Sequence, residues 1–142
     1  MAKNKNESTI LRYDVLALKR RGLTRDLPPG TGSLQWVTNT ATLIYGEHDA
    51  VVVDTFATID QNQQLVDWIT KSGKNLTRIY ITHAHGDHSF GIKILLDRFP
   101  NARAVAVSDV VKAMQKQIDP NYIKNFWSLA PEKGEFKKRR GR

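Results

Sequence analysis

The chain has 142 residues, a net charge of +8, and 40% hydrophobic and 25% charged residues, which is ordinary for one soluble domain with a modest core. It has no cysteine, which excludes disulfides, Cys-ligated zinc and thiol nucleophiles. No apolar run is longer than four residues, as in "AVVV" at 50–53, so no stretch approaches the roughly 20 apolar residues of a spanning helix.

Residues 1–25 carry seven Lys or Arg against two acids, and 131–142 carry six against two. The stretch 26–130 has nine basic and ten acidic residues. A near-neutral body with basic ends does not suggest nucleic acid, because phosphate tracking needs cations clustered on the folded surface. The opening "MAKNKNESTI" lacks the apolar core of a signal peptide, so a cytoplasmic location is expected.

Residues 1–9 are polar and are expected to be disordered. "ILRYDVLAL" (10–18) reads as a strand followed by a basic turn, "KRRG", and "RDLPPGTGS" (25–33) concentrates Pro and Gly as a loop does. "LQWVTNTATLIYG" is rich in β-formers, and 41–45 pairs with 50–54 as a hairpin around "EHD". His48 falls in that turn and reads as a solvent-exposed loop histidine.

A helix is expected from Thr58 or Ile59 to about Ser72, with Ile59, Val66 and Ile69 on one face and Leu65 beside them. Gly73 then supplies the stop. "LTRIYIT" (76–82) is the next strand. Phe90, Ile94, Leu95 and Phe99 support a short helix ending at Pro100, and "RAVAV" (103–107) reads as a third buried strand. Ser108 is placed to cap a helix with Val111, Met114 and Ile118 on one side, and 121–130 adds a final turn or two. The pattern gives an α/β layered domain over 10–130 and a basic tail at 131–142.

Between strand and helix lies "THAHGDH", which puts His83, His85, Asp87 and His88 into six positions. Imidazole nitrogens with a carboxylate are a donor set for zinc, iron or copper. Residues two apart in extended chain point the same way, so His83 and His85 can reach one metal. Gly86 lets the backbone turn sharply, so that Asp87 and His88 can reach a second. The cluster also sits at the carboxyl end of a strand, where open α/β sheets place their ligands.

"THAHGDH" resembles the T-H-x-H-x-D-H signature of the metallo-β-lactamase fold, and "TATLIYGEHDAVVVDT" resembles that family's N-terminal hairpin, with its strand ending in Asp54. The resemblance covers about residues 34–118. It implies half of an αββα sandwich: a mixed sheet with flanking helices, incomplete at the C-terminus. It implies a zinc-dependent hydrolase acting on a small-molecule substrate, with His83 and His85 on one ion and Asp87 and His88 on the other. Asp87 would also orient the attacking water, and Asp54 would steady the loop from behind the ligands. The family takes three further ligands from its second half, whereas this chain has no histidine after His88. Asp97, Asp109 and Asp119 follow, but none has reason to be the bridging ligand. Two ligands per ion implies weak binding and reduced activity for the chain alone. The alternative is a non-catalytic half-domain that acts as an interaction module, pairing with itself or another protein through an open apolar sheet face.

Overall fold

The period-two pattern of the N-terminal half continues further than the sequence suggests. In the computed structural model, which describes residues 10–23 and 26–126, the first strand β1 runs through Arg12–Arg21. The basic stretch read as a turn is therefore strand, and Leu16, Leu18 and Arg20 share its inner face. β1 pairs antiparallel with β2 (Trp36–Tyr45), which pairs antiparallel with β3 (Asp49–Val53). β3 pairs parallel with β4 (Asn75–Tyr80), and β4 parallel with β5 (Arg103–Val105). The sheet is mixed, in the order β1-β2-β3-β4-β5.

Helix α1 (Ile59–Lys71) connects β3 to β4 and opens with a reciprocal cap. The Thr58 hydroxyl accepts from the Gln61 amide at 3.1 Å, and Gln61 Oε1 accepts from the Thr58 amide at 3.3 Å. Leu65, Val66 and Ile69 are buried, and Gly73 leaves the helix at φ +68°, a conformation that costs glycine little. α2 (Gly86–Ser89) and α3 (Ile92–Arg98) follow β4, with α4 (Ser108–Gln117) and α5 (Pro120–Asn125) after β5. The core joins Leu43, Val52, Leu76, Ile79 and Ile81 to Leu65, Ile69 and Leu95 of the helices.

The other face of the sheet is open among the described residues. The pairing aligns two rows across it: Tyr13–Ile44–Val51–Arg78–Arg103 and Val15–Thr42–Val53–Tyr80–Val105. Tyr13 is 70% exposed and Val15 51%.

Three expectations fail in the C-terminal part. β5 is an exposed edge strand rather than a buried one, because among the described residues only β4 pairs with it. Ser108 is the first helical residue of α4 and makes no side-chain cap; Val107 occupies the cap position. Val111 and Ile118 are exposed, and Val110, Met114 and Gln117 face inward instead. The expected disorder of 1–9, the chain beyond Phe126 and the basic tail lie outside the described residues.

Candidate metal centre

Everything that places the histidine loop converges on the carboxyl ends of β3 and β4. The chain leaves β3 at Asp54 with φ +64°, a left-handed conformation unusual for a non-glycine residue but tolerated best by Asp and Asn. The loop that follows is buried from Asp54 to Thr58. Buried backbone needs partners, and Asn62 supplies them. Its amide donates to the carbonyls of Phe56 (2.9 Å) and Thr58 (2.7 Å), and its oxygen accepts from the Phe56 amide (2.9 Å). Thr55 clasps the histidine segment: its amide and hydroxyl donate to the His88 carbonyl at 2.8 and 3.0 Å. The same hydroxyl accepts from the Gly91 amide at 3.0 Å. Gln117 of α4 accepts from the Gly86 amide at 3.1 Å. The loop is thus anchored from two sides.

Asp54 organises the side chains of the histidine loop. Its Oδ1 accepts from the Thr82 amide at 2.8 Å, and its Oδ2 contacts the Thr82 hydroxyl at 2.8 Å and His88 Nδ1 at 3.0 Å. An ionised carboxylate only accepts, so the Thr82 proton is committed to Asp54 and His88 Nδ1 must carry a proton. The Thr82 oxygen lies 2.8 Å from His83 Nδ1, and with its own proton spent it accepts that nitrogen's proton. One threonine and one aspartate therefore set both tautomers, and His83 and His88 each present an Nε2 lone pair. Metal-ligating histidines are oriented in this way, by a partner on the ring nitrogen that faces away from the ion.

The electrostatics agree. Burial pushes the Asp54 carboxyl up, but the bonds from His88 and Thr82 outweigh it and hold it below its ordinary value. The bond to Asp54 raises His88, against burial. Burial lowers His83, helped by the neighbouring His88 and His85 rings.

The rings of His83 and His88 lie 4.2 Å apart between centroids, and those of His83 and His85 4.9 Å. Ligating atoms of Asp54, His83 and His88 fall within 4.8 Å of one another. Both Asp54 oxygens are already bonded, which favours an orienting role for it over a ligating one. His85 is the more exposed of the three loop histidines. Asp87 is half-buried, with Oδ2 3.9 Å from His88 Nε2. Of the expected ligands, His83 and His88 come together with Asp54, while His85 and Asp87 fall outside that group; two imidazoles beside carboxylates are a donor set that suits zinc chemically. Beside it, His85 and Asp87 join Arg20, Leu23, Gln117 and Tyr122 in lining a cleft of about 290 Å³.

Two residues here were not singled out from sequence. Arg20 Nη2 donates to Asp87 Oδ2 at 3.1 Å, and Asn39 Nδ2 donates to the same oxygen at 3.0 Å. Inner-face alternation along β1 and β2 could have found both, since Arg20 follows Leu16 and Leu18, and Asn39 precedes Ala41 and Leu43. His48 is solvent-exposed as expected, its side chain 82% accessible. Asp97 pairs with Lys93 on the surface, and Asp119 caps α5, so both are occupied away from the site.

Comparison with known proteins identifies the family. The family model of the metallo-beta-lactamase superfamily matches residues 34–138. A hydroxyacylglutathione hydrolase of Francisella tularensis subsp. novicida is 36% identical over 67 residues, or 47% of this chain and 25% of that protein. A hydroxyacylglutathione hydrolase of Vibrio vulnificus is 28% identical over 60 residues, 42% of this chain and 23% of that protein. The matched segment is thus about a quarter of the length of these relatives. Among solved structures, the mono-zinc form of the metallo-beta-lactamase FIM-1 from Pseudomonas aeruginosa superposes with a TM-score of 0.54 at 17% identity, over 72% of this chain and 42% of that one. A metallo-beta-lactamase from Hirschia baltica gives a TM-score of 0.55 at 18% identity, over 75% and 48%. With the fold, the histidine motif and the family match in accord, this chain belongs to the metallo-beta-lactamase superfamily.

Proposed function

We propose that the chain carries the first-half metal ligands of a zinc-dependent hydrolase, with glutathione thioesters as the substrate class to test first. The observation that carries this reading is the pair of Nε2 lone pairs that Asp54 and Thr82 fix on His88 and His83. His83, His85, Asp87 and His88 would hold the ion or ions, with Asp54 behind them. When bound, zinc lowers the pKa of a coordinated water to about 7 and polarises a scissile carbonyl. The protein's own contribution is orientation. Asp54 and Thr82 fix the imidazoles, and Asp87 is placed to align an attacking water. The cleft beside His85 and Asp87 offers Leu23 and Tyr122 to the apolar part of an acyl group. The thioester assignment rests on the relatives' names, which belong to proteins about four times the matched length. The test is hydrolysis of S-lactoylglutathione by the zinc-loaded chain, with Asp87→Ala and chelated protein beside it. Zinc-dependent turnover that Asp87→Ala loses supports the reading, and no turnover by the zinc-loaded, folded chain rejects it for the chain alone.

A second reading, a non-catalytic half-domain that binds itself or another protein, is favoured by the open sheet face with Tyr13, Val15, Ile44, Tyr80 and Val105. Apolar rows of this kind are interaction surfaces more often than solvated ones. Sedimentation of the metal-free chain tests it: a monomer at micromolar concentration argues against self-pairing. No described helix is long and apolar enough to cross a membrane.

A further inference from the structure

We infer that Arg20, assisted by Asn39, is a positioning residue that fixes the orientation of the Asp87 carboxylate beside His88 for a role as metal ligand; this rests on the metal-site reading above. Arg20 continues the inner-face row of Leu16 and Leu18, a place where another apolar residue would extend the core. Its side chain is instead 8% exposed and charged. A buried ion pair contributes little net stability compared with well-packed apolar residues, so stability alone gives no reason for it. The guanidinium is fixed at two points: Nη1 donates to the Arg21 carbonyl at 3.0 Å and Nη2 to Asp87 Oδ2 at 3.1 Å. Asn39, paired with Leu18 across the β1–β2 ladder, brings a second donor to the same oxygen at 3.0 Å.

The consequence is specific to one atom. Both donors anchor Oδ2, and among the described residues Oδ1 accepts no hydrogen bond. A carboxylate held by one oxygen has its rotation stopped and its other oxygen left for a ligand. Asn39 Nδ2 also lies 3.3 Å from His88 Nε2, so one amide spans the two groups proposed as neighbouring ligands. Arg20 Nε and Asn39 Oδ1 are buried without a partner. Such orphaned atoms cost stability in a folded protein, which again points to a site kept for function. Neither donor comes from the histidine loop itself. Both come from β1 and β2, the antiparallel half of the sheet.

The experiment titrates the full 142-residue chain with Co²⁺, reading the visible d–d spectrum and the dissociation constant against a competing chelator. Wild type is compared with Arg20→Met, Arg20→Lys and the His83→Ala/His85→Ala control, with folding checked by circular dichroism. The expected result is about 10–100-fold weaker Co²⁺ binding and an altered d–d spectrum in Arg20→Met, the usual cost of losing an outer-shell partner. Arg20→Lys, which keeps the charge without the rigid fork, is expected in between. It decides the matter if Arg20→Met does not fold. Wild-type affinity and spectrum in the folded Arg20 variants, or tighter binding on loss of the cation, overturn the positioning role while leaving the metal reading intact. Binding by wild type that the double-histidine control retains, or no binding at all, overturns the metal reading and the positioning role with it.

Discussion

The two faces of the sheet are made by the same strands, and neighbouring residues on them have opposite circumstances. Ile79 is fully buried in the core, whereas Tyr80, next along β4, is 37% exposed on the open face. On the inner face the apolar rows give way at one end to Arg20 and Asn39, which meet Asp87 and His88. On the outer face Tyr13, Val15, Ile44 and Val105 stand in rows with Arg78 and Arg103. The inner face thus holds the fold and the candidate metal centre together. The outer face adds little to the buried core, and among the described residues nothing covers it. Mutational cost here should follow the side of the sheet rather than hydrophobicity.

Removing side chains from each face tests that contrast. Ile79→Ala should lower unfolding free energy by about 2–5 kcal/mol, the usual cost of emptying a buried aliphatic site, measured by urea denaturation. A cost under about 1 kcal/mol would mean that the core is not where the inner face places it.

Asp54→Asn comes next, at about 1.5–3 kcal/mol, because it weakens charge-assisted bonds to Thr82 and His88 while asparagine still accepts the left-handed backbone. Its pH dependence follows from the directions of the shifts. The Asp54 carboxyl lies below its ordinary 3.8, so its contribution is present above that value and fades as pH falls through the lowered pKa. His88 lies above its ordinary 6.5, so its contribution is complete below that value and fades as pH rises through the raised pKa. The stability gap between metal-free wild type and Asp54→Asn should therefore be widest between about pH 4 and 6.5. In NMR titrations, the His88 midpoint should fall in the variant. An unchanged His88 midpoint would refute the bond that fixes its tautomer.

Gly91→Ala should cost about 1–3 kcal/mol, since a Cβ there would run into the Asn62 amide and the Thr55 side chain that together build the platform under the histidine loop. The smallest effect belongs to the outer face. Val15→Ala should stay within about 0.5 kcal/mol, as surface substitutions do. A loss comparable to that of Ile79→Ala would show that Val15 is covered in solution, and so would favour self-association through this face.

Much of this was legible in the sequence where local signals are strong. The "ATLIY" and "AVVVD" pair, the Thr58-to-Gly73 helix and the histidine cluster each carry periodicity, a cap or a motif within a few residues. The losses occurred where context decided. "KRRG" reads as a turn by composition, yet Lys19, Arg20 and Arg21 complete β1 because β2 is long enough to pair with them. The charge of the basic N-terminal end thus sits partly in a strand, and one of its cations reaches Asp87. "RAVAV" looks buried by hydropathy, but a three-residue edge strand paired on one side stays exposed. Val111 and Ile118 follow helical spacing on the wrong face of α4, because Gln117 is turned inward to hold the Gly86 amide. Thr55 and Asn62 carry no signal of their own, since their roles exist only once the loop is folded.

The bonds from Asp54 and Thr82 hold the His88 and His83 rings as metal ligation would require. The most direct measurement is zinc per chain after dialysis against metal-free buffer, for wild type and His83→Ala/His85→Ala side by side. Zinc retained by wild type and lost by the variant is the predicted result. A folded wild-type protein that retains none, or a variant that retains as much, would contradict it.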